Sequence, residues 1–162
     1  SGRIYLVRFK AQQSGTYGHV NYYIQTAGAT LTSGQSLVGI YDTGQTSAGS
    51  ATLLGSSADQ STAWTSTGYQ QTALTASGTG TLNLVAGLDY FVAILCVGTT
   101  MPKLPSATML AASQYNNNAT GLNVVVGRHI TGSQTSLPST ITAANIVATD
   151  NGAEPFIFTL NA

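Results

Sequence analysis

Apolar and polar positions alternate with a period of two in segment after segment of this chain. The segments are rich in Val, Ile, Tyr and Thr and are separated by clusters of Gly, Ser and Thr. Such alternation marks half-buried strands rather than helices. Residues 3–10 read as a first strand and 18–26 as a second, with Val20, Tyr22 and Ile24 on one face. Residues 35–42 carry apolar groups on both faces, with Leu37 and Tyr41 beside Gly39 on one and Val38 and Ile40 on the other, which predicts a central strand. A short strand is expected at 51–57, and others at 69–75 and 81–84. The longest apolar run, 88–97, is expected to form a fully buried inner strand.

After Gly98 the character changes, because Pro102 and Pro105 lack the amide donor that a central strand needs. Residues 106–113 read as one or two helical turns capped by Ser106, 115–121 as a turn-rich loop, and 122–129 as another strand. Strand signals weaken over 131–151, although Ile141, Ile146 and Val147 need a place in a core, and 154–160 closes the chain as a last strand. The pattern predicts an all-β fold: a two-sheet antiparallel β-sandwich, jelly-roll-like, with little helix. No fixed repeat of about 20 to 50 residues points to a propeller or solenoid. The 162 residues suit one domain, 1–162. With no signal peptide ahead of the first strand, the chain reads as a C-terminal piece of a longer protein.

Composition narrows the function. Only 6% of residues are charged, with five basic against five acidic side chains, so solubility rests on 16 Ser, 24 Thr, 9 Asn and 10 Gln. Ordinary domains carry roughly 25% charge. Phosphate-based nucleic-acid binding needs clustered cations, and Arg3, Arg8, Lys10, Lys103 and Arg128 are scattered. No apolar stretch approaches the ~20 residues that span a bilayer as a helix. Neither nucleic acid nor membrane insertion is therefore expected. Cys96 is the only cysteine, which leaves no disulfide and no cysteine-based zinc site, and it reads as a small buried hydrophobe. With few charges to blunt sheet edges, the edges are expected to be covered by loops or neighbouring subunits.

Catalytic chemistry finds little to work with. The only acids are Asp42, Asp59, Asp89, Asp150 and Glu154, and Asp42, Asp89 and Asp150 have turn or strand-end roles available. A carboxylate pair for glycoside hydrolysis is not favoured. No Gly-x-Ser-x-Gly elbow occurs. His19 and His129 read as β-surface or core residues; two histidines alone make a weak metal site. No cofactor or metal is expected, with a structural calcium on Asp42 or Asp59 left open. What remains is a surface of neutral donors and acceptors suited to a neutral hydroxylated ligand such as a glycan, whose C–H faces stack on aromatic rings while amides meet its hydroxyls. Trp64 in its polar loop and Tyr115 beside Asn116, Asn117 and Asn118 are the candidate carbohydrate-binding residues, against the plainer readings of Trp64 as a plug between sheets and the Asn run as a turn.

Residues 1–8 and 38–42, with Leu53-Leu54-Gly55 and the runs 57–68 and 86–93, resemble a domain of phage tail-fibre and minor tail proteins infecting actinobacteria. The likeness extends to 134–138 and covers most of the chain. Such domains are similar to jelly-roll modules found beside secreted bacterial carbohydrate enzymes. The resemblance implies a distal, extracellular tail module of the virion, a homotrimer like most fibres, in contact with the host envelope. It transfers no functional residues. The expectation is a non-catalytic receptor-binding domain for a host cell-surface polysaccharide or glycolipid. The alternatives are a structural fibre domain serving trimer assembly only, or a polysaccharide depolymerase.

Overall fold

A computed structural model describes residues 1–43, 49–77, 82–105, 126–129, 132–148 and 156–162 of the chain. Among these the strands are β1 (Arg3–Lys10), β2 (Gly15–Thr16), β3 (His19–Ile24), β4 (Ala29–Asp42), β5 (Ser50–Ser56), β6 (Gly68–Ala73) and β7 (Thr75–Ala76). They continue with β8 (Asn83–Leu84), β9 (Asp89–Thr100), β10 (Val126–His129), β11 (Thr140–Thr142), β12 (Ile146–Ala148) and β13 (Phe158–Asn161). The only helical elements among the described residues are two 3-10 turns, Ala63–Thr65 and Ala143–Asn145. Every strand pair is antiparallel.

The larger sheet runs in the order β11-β5-β4-β9-β1-β10-β12, with β7 also paired to β5. A three-stranded sheet, β13-β3-β6, packs against one face of it, and β2 pairs with β8 as a small ribbon. This is the antiparallel sandwich that the alternation predicts. The central strand β9 feeds two cores. Tyr90, Val92, Ile94 and Cys96 join Val38 and Ile40 of β4 and Val20, Tyr22 and Ile24 of β3 between the layers. Phe91, Ala93 and Leu95 point the other way, joining Ile4, Leu6, Tyr41, Ala51, Leu137, Ile141 and Ile146.

That second core lies inside a roll. β11 and β12 stand at opposite ends of the strand order, yet only Ala143–Asn145 separates them in the chain. Laid flat, seven strands would hold their outermost members ~29 Å apart. The four steps from Thr142 to Ile146 reach ~14 Å at most. The larger sheet must therefore curl until its rims nearly meet. Its interior is sealed by Tyr41, which is fully buried and donates its hydroxyl to the carbonyl of Pro138 at 2.7 Å. The approach is close: a Cβ on Gly39 would sit 2.6 Å from Cδ1 of Leu137.

Three differences from the sequence reading have physical causes. β4 begins six residues earlier than expected, because the strand continues through a bulge between Leu31 and Ser36 that breaks the alternation. Gly34 takes a φ of +80° there. The run 69–75 divides between two sheets: β6 joins the small sheet, and after Leu74 the chain crosses to place β7 against β5. In the stretch of weak strand signal, Ile141 and Ile146 fill the roll from two three-residue strands, too short to show a period. The helical turns expected at 106–113 and the loop at 115–121 lie outside the described residues, as does the first part of the strand expected at 122–129.

Candidate functional site

Alternation along β3 gives the small sheet two unlike faces. Val20, Tyr22 and Ile24 turn inward, which leaves His19, Asn21 and Tyr23 on the other side, where Tyr23 is exposed, His19 half-buried and Asn21 buried. Register extends that face sideways: Tyr23 stands opposite Tyr69, Asn21 between Gln71 and Thr159, and His19 between Ala73 and Asn161. Tyr23 and Tyr69 are 49% and 65% exposed. Ile157, one residue before β13, is also exposed. The result is an exposed aromatic pair on a side whose exposed polar groups are the Gln71 amide and the Thr159 hydroxyl.

Hydrogen bonds hold the polar groups of this side in place. Nδ2 of Asn21 donates to Oδ1 of Asn161 at 3.0 Å and to Oγ1 of Thr159 at 3.4 Å. β3, β6 and β13 contain no Asp, Glu, Lys or Arg. The face thus offers flat apolar rings and neutral donors and acceptors with no fixed charge, which suits a ligand that presents C–H faces and hydroxyls. At its border Thr159 also lines a concavity of about 310 Å³ walled by Phe9, Tyr17, Leu84, Phe158 and Leu160, with Lys10 and Gln12 at its rim.

Trp64 is not on this face or any other. It is fully buried, so its ring has no surface to offer a sugar. The polar loop that carries it crosses from β5 of the larger sheet to β6 of the smaller one, and this crossing delivers the indole between the layers. There Nε1 donates to the Tyr22 hydroxyl at 2.8 Å, Tyr22 meets Oγ1 of Thr72 at 2.7 Å, and Thr72 donates to Oε1 of Gln60 at 3.2 Å. Each donor in the chain finds an acceptor, as a buried polar network requires. Burial pushes the Tyr22 phenol above its usual range, against the opposing pull of the bonds to Thr72 and Trp64. The other candidates, Tyr115, Asn116, Asn117 and Asn118, lie outside the described residues. No protein-family model and no curated protein matches this chain.

Asp59 and Asp89 serve the fold. Asp59 accepts backbone N–H bonds from Ser36 and Ser61 at 3.2 Å, and others from Gly34 and the Ser61 hydroxyl, and so fastens the bulge of β4 to the loop after β5. Burial would raise its pKa, but these bonds outweigh that and hold it low. Asp89 bridges Arg8 and Lys10 where β1 and β9 pair. Asp150 and Glu154 lie outside the described residues. Among the described residues no group of three or more His, Cys, Asp and Glu could hold a metal ion, and no helix is long and apolar enough to cross a membrane.

Sequence reasoning passed over Tyr23 and Tyr69. The signal was present: once Val20, Tyr22 and Ile24 face the core, a large aromatic ring at 23 must face outward, and exposed aromatics on a strand call for an explanation. Their meeting across β3 and β6 depends on a register that no local pattern encodes.

Proposed function

We propose that this chain is a non-catalytic receptor-binding domain of a phage tail, and that it attaches to an uncharged polysaccharide or glycolipid of the host cell surface through the outer face of its small sheet. The observation that carries this reading is the charge-free face on which exposed Tyr23 and Tyr69 stand with exposed Gln71 and Thr159, while Asn21 is buried among them. An open face of this kind makes weak individual contacts. Several copies in a trimeric tail would add them through avidity. The resemblance to tail-fibre and minor tail domains supports the virion setting and the trimer.

A glycan array and a pull-down on host cell walls test the proposal. The intact chain should retain neutral polymers such as arabinans or galactans, and a Tyr23→Ala, Tyr69→Ala double variant should not. Failure across these polymers, teichoic-type polymers and whole cells would overturn it, as would turnover of any polysaccharide by the purified chain.

A second reading, a fibre domain serving assembly alone, draws on a different observation: among the described residues β6 and β13 each pair only with β3 within the small sheet. Deleting the domain while tails still assemble separates the two. Adsorption vanishes under the first reading and persists under the second.

A further inference from the structure

The small sheet covers the larger one unevenly. Near one end of β1, Phe9 meets Phe158 edge-on, with ring centroids 5.4 Å apart. Toward the other end, Tyr5 on the same side of β1 is 40% exposed. The uncovered end holds a cavity of about 130 Å³. Ile94 and Cys96 of β9 lie in it, and Met101, Pro102, Leu104 and Phe156 complete its apolar lining.

The polar members of the lining are Ser1, just ahead of β1, and Arg3 and Tyr5 of β1. Arg3 pairs in register with Cys96, and Tyr5 with Ile94, so a guanidinium and a phenol are launched directly beside the apolar floor. Arg8 and Lys10, farther along the same strand, share Asp89. Arg3 makes no ion pair or side-chain hydrogen bond among the described residues, and it is exposed. An apolar recess with an uncompensated cation at its wall is complementary to an anion carried on an apolar stem.

We propose that this cavity binds a small anionic amphiphile, with its aliphatic stem among Ile94, Cys96, Met101 and Leu104 and its carboxylate or phosphate head on Arg3. Size sets the stem. An enclosed apolar cavity of about 150 Å³ takes up benzene, so this one takes about four to six carbons. Met101 adapts its unbranched side chain to the stem. Arg3 accepts either head group, since its planar fork matches both carboxylate and phosphate oxygens, and the Tyr5 hydroxyl is a further donor within the same lining. None of these residues belongs to the outer face of the small sheet, so the inference stands or falls apart from the glycan reading.

Titration of the full chain with hexanoate, hexyl phosphate, hexanol and acetate, followed by calorimetry and NMR shifts of the Tyr5 ring, tests it. Hexanoate and hexyl phosphate should both bind, and whichever binds more tightly identifies the preferred head group. Hexanol should bind about five-fold more weakly, the worth of one partly exposed ion pair, and acetate should not bind at the same concentrations. Arg3→Gln should reduce hexanoate to the affinity of hexanol and leave hexanol unchanged. Met101→Trp, which fills the cavity from its half-exposed side, should abolish binding of all three six-carbon probes while the unfolding midpoint stays close to that of the parent. The proposal is wrong if no six-carbon probe binds the folded chain, if hexanol equals hexanoate, if Arg3→Gln changes neither, or if Met101→Trp still binds.

Discussion

Tyr22 and Tyr23 are adjacent in β3, one 3% exposed and the other 49%. The first packs edge-on against Trp64, with ring centroids 6.3 Å apart, and spends its hydroxyl on the indole and on Thr72. The second makes no such bond among the described residues and stands across from Tyr69 on the open side of the sheet. One residue type therefore does two kinds of work, and only the parity of its position decides which. The inner face converts aromatic area into stability. The outer face keeps that area available for contact.

The contrast can be broken most forcefully at Trp64. Trp64→Ala should cost about 3–5 kcal/mol of unfolding free energy in urea titrations, since it empties the largest fully buried side chain from the core between the layers. Tyr22→Phe keeps the ring but strips the acceptor from a buried indole N–H. A loss of about 1–3 kcal/mol is expected, and a neutral result would show that the network contributes nothing beyond packing. Tyr69→Ala should cost less than about 1 kcal/mol, the range of one cross-strand pair. Glycan retention should nevertheless fall by at least about ten-fold, an aromatic anchor's typical share. If its stability loss matched that of Tyr22→Phe, the two faces would not differ as described.

The smallest effect is electrostatic. Burial alone would raise the Asp89 carboxyl, but the hydrogen bonds and charges of Arg8 and Lys10 outweigh it and hold the pKa below the ordinary range. A pKa lowered by folding stabilises the protein above the unfolded value, near about 3.9 for aspartate, and that contribution is lost as pH falls through the folded value. Unfolding midpoints of the parent should decline in that acid window. Asp89→Asn should flatten part of the decline and cost under about 1 kcal/mol at neutral pH, as expected for a partly solvated pair.

Much of this fold was legible residue by residue. β1 occupies the residues its pattern predicts, β3 turns Val20, Tyr22 and Ile24 inward, and β4 and β9 are central because their apolar groups occupy both faces. These features are local, and period-two alternation states them directly. Trp64 was legible as one of two readings: the plug between sheets is the one the structure shows, but which layers its polar loop bridges is written in no local pattern. The outer face was harder. Tyr23 and Tyr69 lie far apart in sequence and become neighbours through β3–β6 register, and Asn21 finds Asn161 across nearly the whole chain. No short window holds that information. The roll was equally hidden, because it follows from which strands stand at the ends of the order.

The roll also bears on how the larger sheet guards its rims with so few ions to do it. Long, unpaired strands act as templates that foreign backbones can extend, and lysines usually forbid it. Here the larger sheet terminates in β11 and β12, three residues apiece and tethered to each other by a single tight turn, so neither is long enough to seed growth. At these two rims geometry takes over the protective task that charge performs in most β proteins.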